Sequence, residues 1–228
     1  MLNNLFLAIS FDKSFNFAYI FKSIVTKWYL YVLLAVVIIG VMLFAIIKKP
    51  KRPHNLTSTQ ELAYLSILSA LSVVVNILQI PFPLVQLSFV ATICYVAGIL
   101  LGPIDGFIVG FIGDLIAGII APLGPYSPII GIGTAMLGFV PGVIQCYLKK
   151  NDIVTGIISY SITFILTSVI INTIGLCLLY TYYVLAEKAI LLPLNLLFHI
   201  FNCIISVLLI KTFKRVLPKD KFFINDKK

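Results

Sequence analysis

Asp114 stands in Gly110-Phe-Ile-Gly-Asp114, inside a glycine-laced apolar stretch that runs from Leu101 to Ala121. A carboxylate is costly in hydrocarbon, and in such a segment it ordinarily faces a cavity or a polar partner, which makes it a ligand-binding candidate. Two aromatic side chains in proline-rich segments could stack on a flat ring beside it: Tyr126 in Pro122-Leu-Gly-Pro-Tyr-Ser-Pro128, and Phe82 in Pro81-Phe-Pro83. Gln86, Ser88, Asn195 and His199 add neutral hydrogen-bonding groups. The alternative for Asp114 is an internal partner, with Asn172, Asn195, Asn202 and His199 as the available groups. His199 reads more readily as a satisfied core histidine than as a ligand, and Asp105 as a solvated or helix-capping residue rather than a site.

The remaining sequence argues for binding rather than reaction. No GxxxxGK[ST] loop is present, so ATP is not held in the P-loop manner. HExxH, GxSxG and paired intramembrane carboxylates are missing too, which leaves an intramembrane hydrolase little basis. Cys94, Cys146, Cys177 and Cys203 lie dispersed in apolar segments without metal-ligand spacing and read as small core residues. A lone Asp without a second-half counterpart also argues against a secondary transporter built from repeats.

The elements that must position these groups are membrane helices. Of 228 residues, 61% are apolar and 11% charged, and the mean hydropathy is +1.10. Several charge-free runs exceed the roughly 20 residues that one crossing needs. The net charge of +9 comes largely from short basic tracts beside these runs: Lys48 to Arg52, Lys149-Lys150, and Lys211 to Arg215. Such tracts read as topology signals, and the chain offers no basic soluble surface for nucleic acid.

The fold class expected is therefore all-α and integral to the membrane. Residues 1–59 form an amino-terminal extension: an interfacial segment to Lys27, a crossing from Trp28 to Ile47, then a basic linker. Residues 60–215 form a bundle of six crossings, and 216–228 a basic tail. Ser58 or Thr59 is expected to cap the first core helix, with Glu61 near its positive dipole end. Pro81 and Pro83 break the charge-free run Leu62 to Ile104, and Gly102-Pro103 reverses it again. Further helices are expected at about 104–121, 129–148, 153–180 and 190–213. With the linker cytoplasmic, the 149–152 loop and the carboxy-terminal tail are cytoplasmic as well, as the positive-inside rule requires.

Gly98, Gly102, Gly106, Gly110 and Gly118 recur at multiples of four, with Asp114 in the gap, and Gly138 and Gly142 repeat the spacing. In a helix this stacks small residues on one face and lets backbones approach. Ala63, Ser66 and Ala70 form a small-residue stripe on the first core helix, suited either to a docking helix or to packing within the bundle.

Ala97-Gly98-Ile-Leu-Leu-Gly-Pro-Ile-Asp-Gly106, Gly110-Phe-Ile-Gly-Asp114, Pro122-Leu-Gly-Pro-Tyr126 and Gly138-Phe-Val-Pro-Gly142, in that order, resemble the substrate-binding S components of energy-coupling factor (ECF) vitamin transporters, most closely the folate type. The resemblance implies a six-helix membrane subunit, not an enzyme, that binds a vitamin with no covalent cofactor. It implies a transmembrane T subunit and two cytoplasmic ATPases as partners, with Ala63, Ser66 and Ala70 at the position of the family's docking face, and residence in the plasma membrane. A pterin's paired N–H donors would suit Asp114. Against the folate pattern, Gln86 and Asn195 stand where relatives carry basic residues, so cobalamin, pantothenate or thiamine are alternative cargoes. A non-transporting membrane adaptor is the reading from outside the class.

Overall fold

The computed structural model describes residues 56–81, 86–121, 126–147, 152–179 and 184–217. The expected crossing at 28–47, Phe82, residues 122–125 and the tail from 218 lie outside them. The described chain is helical apart from one short hairpin.

Helix α1 spans Ser58–Ile77. Its N-cap is Thr57, one residue before the expected Ser58 or Thr59, with extended backbone and no side-chain cap bond. The Thr57 carbonyl accepts the Glu61 N–H at 2.9 Å. The proline-rich break is a hairpin in which β1 (Ile80–Pro81) pairs antiparallel with β2 (Gln86–Leu87), Ile80 opposite Leu87 and Pro81 opposite Gln86. Helix α2 follows at Val90–Leu100.

At 11 residues, α2 is far shorter than the ~20 residues of a full crossing. The hairpin consumes the chain before it, and Gly102 ends it. Ten of its residues are buried, all but Ile93, so protein rather than lipid surrounds it and hydrocarbon thickness does not set its length. Gly102 has φ 121°, a conformation that costs only glycine little. Pro103 then opens α3 (Pro103–Ile120) at the first turn, where its missing N–H has no intrahelical partner to lose.

Helix α4 (Pro128–Tyr147) lies against α3 along the glycine repeat. A methyl group built on Gly106 would come within 2.7 Å of the Gly138 carbonyl oxygen, and one on Gly110 within 2.7 Å of the Thr134 oxygen. Gly98 also abuts Gly138, and Gly142 abuts Pro103. The glycine spacing therefore serves close backbone packing.

The expected helix 153–180 is three segments in one rod: α5 (Asp152–Thr163), a π-helical stretch Phe164–Ile171, and α6 (Asn172–Leu179). Helix α7 runs Val184–Val216, beginning several residues before the expected 190 and carrying Pro193 within it. Among the described residues, five helices are long and apolar enough to cross a membrane, and α2 is the shorter apolar one.

The bundle has two ends. The hairpin end gathers the hairpin, the end of α3, the start of α4, the end of α6 and the start of α7. The opposite end, hereafter the tail end, holds Gly102, the end of α4, the start of α5 and the end of α7, where Lys214 Nζ meets Asp152 Oδ1 at 2.7 Å.

Polarity in the bundle is turned inward. The buried residues of α1 are Ser69, Ser72 and Asn76, while Leu62 and Ile67 are each 63% exposed. Lipid accepts the apolar side chains at no cost, whereas hydroxyl and amide groups gain partners only inside. Gly113 leaves the space that Ser72 fills.

Adding a methyl group at the α3–α4 contact should therefore be costly. Gly138→Ala is expected to destabilise by about 1–3 kcal/mol, read as a lower Tm of detergent-purified protein. An unchanged Tm would show that the two backbones do not approach this closely.

Candidate ligand-binding site

Asp114 lies some 16 Å along α3 from Pro103, at about 1.5 Å per residue, which places it in the half nearer the hairpin end. Three elements supply its partners. From α1, Asn76 Nδ2 donates to Asp114 Oδ1 at 3.3 Å and also reaches the Gly113 carbonyl at 3.5 Å. From α4, the Thr134 hydroxyl donates to the same oxygen at 3.2 Å, sharing its proton with the Ile130 carbonyl at 3.3 Å. Tyr126, just before α4, turns its hydroxyl to the carboxylate.

Two glycines admit the Tyr126 ring. A methyl group on Gly118 would meet its Cδ2 at 2.8 Å, and one on Gly131 would meet its hydroxyl at 2.5 Å and Asp114 Oδ2 at 3.0 Å. Burial, and next the neighbouring Asp114 charge, hold the Tyr126 hydroxyl above the ordinary tyrosine range, so it keeps its proton beside the carboxylate.

The internal partners of Asp114 are thus not the expected Asn172, Asn195, Asn202 or His199. His199 is buried, with Nε2 3.4 Å from the Thr163 hydroxyl and its ring against Tyr160 and Phe164. Asn202 accepts the Thr92 hydroxyl at 2.8 Å and donates to the Ser88 and Phe198 carbonyls. Ser88 Oγ accepts the Val90 N–H at 3.1 Å at the start of α2. Asn195 is half-buried one turn before His199. Gln86 sits in β2, with its backbone paired to Pro81.

Sequence reasoning missed the residues that hold Asp114. Ser69, Ser72 and Asn76 lie at i, i+3 and i+7 on α1, one polar stripe in an apolar helix, and Thr134 is likewise a lone hydroxyl in an apolar run. Asn172, expected as an internal partner of Asp114, is instead left open, and Ser127 was missed. Ser127 Oγ and Asn172 Oδ1 are buried without a hydrogen-bond partner. Asn172 Oδ1 lies 2.9 Å from where a Gly133 methyl group would stand, beside Thr134 in sequence. Buried acceptors without partners are rare in folded proteins and are where a ligand's donors gain most.

Taken together, the hairpin end offers a fixed carboxylate, a neutral phenol, a hydroxyl and an open carboxamide. This set can bind a polar ring. Among the described residues, no group of three His, Cys, Asp or Glu side chains could hold a metal ion.

The sequence profile of the family described as ECF-type riboflavin transporter, S component, matches residues 56–215. The chain belongs to this family. S components are substrate-binding membrane subunits rather than enzymes, and the folate-like resemblance falls within this class. No curated protein matches the chain. Two solved structures share the fold: FolT bound with folic acid, with a TM-score of 0.56 and 19% identity, covering 66% of this chain and 93% of that one, and the S component of a bacterial ECF transporter, with a TM-score of 0.58 and 22% identity, covering 71% and 99%.

Also in place in this S component is the stripe Ala63, Ser66 and Ala70. All three are exposed on α1 rather than packed within the bundle, and Ser66 Oγ is turned back to the Leu62 carbonyl at 2.8 Å.

If Thr134 holds Asp114, Thr134→Val should cost about 1–3 kcal/mol by removing a donor from a buried acceptor. The loss should shrink in a chain already carrying Asp114→Leu. Equal losses in both backgrounds, measured by thermal unfolding, would mean that the hydroxyl acts independently of the carboxylate.

Proposed function

We propose that the chain is the vitamin-binding subunit of an ECF-type importer, and that its cargo is a flat, uncharged nitrogen heterocycle of the riboflavin kind. The ring binds at the hairpin end, against Tyr126. The observation that carries this reading is the braced carboxylate Asp114, with a second acceptor, Asn172 Oδ1, left open toward another face of α4 in the same half of the bundle. The ring's N–H groups donate to these acceptors, and the stacking wall supplies the apolar contact.

Charge favours a neutral cargo. Of the lysines and arginines of α7, Lys211, Lys214 and Arg215 sit at the tail end, and Lys188, next to Glu187, lies near its start at the hairpin end. A glutamyl tail with its carboxylates would find at the hairpin end of α7 one lysine next to an acid in sequence, whereas an uncharged flavin needs no cation. The description of the family points the same way.

Folate is the second reading, and one observation favours it. Asn76 and Thr134 both donate to Oδ1 of Asp114, and a carboxylate offers about four acceptor sites, so capacity remains for a pterin N–H. The fold shared with FolT is consistent with that reading. Under either cargo, Ser88, Asn195 and His199 brace the helices that carry the site.

The import partners follow from the family. A T subunit docks along the exposed Ala63, Ser66 and Ala70 stripe on α1, where small residues allow a second helix to come close. Two ATPases drive it from the cytoplasmic side. The basic tracts place the tail end and the carboxy terminus in the cytoplasm and the hairpin end outside.

Thermal stabilisation of the detergent-purified full chain against riboflavin, folate, thiamine, pantothenate and cobalamin tests the proposal. Riboflavin at 100 times its dissociation constant should stabilise by about 2.7 kcal/mol, and Asp114→Asn should weaken it at least tenfold. Stabilisation by folate alone would transfer the site to the second reading. A chain unmoved by every vitamin would be better described as a non-transporting adaptor.

A further inference from the structure

The π-helical stretch Phe164–Ile171 fixes which residues of the rod Asp152–Leu179 face the bundle. Thr155, Ser159 and Thr163 of α5 are buried at intervals of four. Nine residues separate Thr163 from Asn172. At 3.6 residues per turn these would make about two and a half turns, and Asn172 would point diametrically away from the Thr163 face, into lipid. Winding with i→i+5 bonds, at roughly 4.4 residues per turn, makes about two turns of the same stretch and returns Asn172 to that face.

Burial follows the second count. Thr167, Ser168 and Ile171 are buried, whereas Ile165, Val169, Ile170 and Ile174 are 57%, 39%, 45% and 38% exposed. The hydrogen bonds agree: the Asn172 N–H reaches the Thr167 carbonyl, five residues back. The Thr173 hydroxyl reaches the Ser168 carbonyl at 3.5 Å, at the same spacing. The Thr167 hydroxyl donates to the Thr163 carbonyl at 2.7 Å where the winding changes. Beyond the stretch, the restored register sets Asn172 Oδ1 against Gly133 and Gly175 against Ile130 of α4.

We infer that this stretch is a register device for ligand binding: its wider winding turns Asn172 from the lipid face onto α4 and so gives the site its open acceptor. The inference rests on the proposed function for its ligand, but not for its geometry. Asn172 is the residue positioned, and the length of the stretch between Thr163 and Asn172, rather than any one side chain in it, does the positioning.

Two experiments on the full-length chain in membranes test it. In a background with Cys94, Cys146, Cys177 and Cys203 replaced, Gly133→Cys with Asn172→Cys, and Ile130→Cys with Gly175→Cys, should each close a disulfide on mild oxidation. Gly133→Cys with Val169→Cys should stay open. The reverse pattern overturns the register.

In the second experiment, deletion of the lipid-facing Val169 should weaken riboflavin binding at least tenfold and reduce closure of the 133/172 pair. An alanine inserted after Ile170 in that deletion chain should restore both. Parental affinity in the deletion chain, or no rescue by the alanine, would overturn the role in binding. A parent chain that binds neither riboflavin nor folate overturns that role together with the proposed function, while the disulfide pattern still decides the register.

Discussion

The close approach of α3 to α4 through glycine backbones is the constraint on which the rest of the molecule depends. Gly106 meets Gly138 and Gly110 meets the Thr134 backbone because Gly106, Gly110 and Gly138 have no side chain to hold the helices apart. One turn beyond Gly110 lies Asp114, and the same proximity brings Thr134 within hydrogen-bonding distance of it. Were the helices at the 8–10 Å spacing usual for larger side chains, the short threonine hydroxyl would not span the gap. The site is thus a product of the packing, and its carboxylate is braced before any ligand arrives.

Preorganisation of this kind has a thermodynamic side. Burying a carboxylate without partners is costly, and here two neutral donors from different helices and a phenol offset that cost. Each is anchored elsewhere as well: Asn76 reaches the Gly113 carbonyl, Thr134 the Ile130 carbonyl, and Tyr126 rests on Gly118. The seam between α2, the α5 rod and α7 is satisfied separately, through Thr92 with Asn202, Tyr160 with Ser206 at 2.5 Å, and Thr163 with His199. Two polar networks therefore hold one bundle, and a change of cargo in the first need not disturb the second. Such a division is consistent with a fold shared at 19% and 22% identity with the two solved structures.

Much of this was legible in the residues. An ionisable group in apolar sequence marked Asp114, spacing by four marked the helix crossing, and Pro81, Pro83 and the Gly102-Pro103 pair marked the reversals. The partners of Asp114 were not legible, because Asn76 and Thr134 are single polar residues whose facing depends on which helices meet. The extra winding at Phe164–Ile171 escaped for a different reason: an apolar run shows no periodicity when hydrophobic residues occupy both its faces. Only the polar positions Thr163, Thr167, Ser168 and Asn172, spaced by four and five, carry that signal. The brevity of α2 was hidden too, since a helix enclosed by protein and one crossing lipid have the same composition.

The inward turn of polarity has a consequence for how the sequence can drift. Leu62, Ile67, Ile165 and Leu208 present their side chains to fluid acyl chains, which accommodate any apolar shape. Ser72, Ser159, Ser206, Gly106 and Gly138 are packed against rigid neighbours or hidden at zero or near-zero exposure. Evolutionary latitude is therefore reversed relative to a water-soluble protein: the bulky apolar residues are interchangeable, and the small and hydroxylated ones carry the memory of the fold.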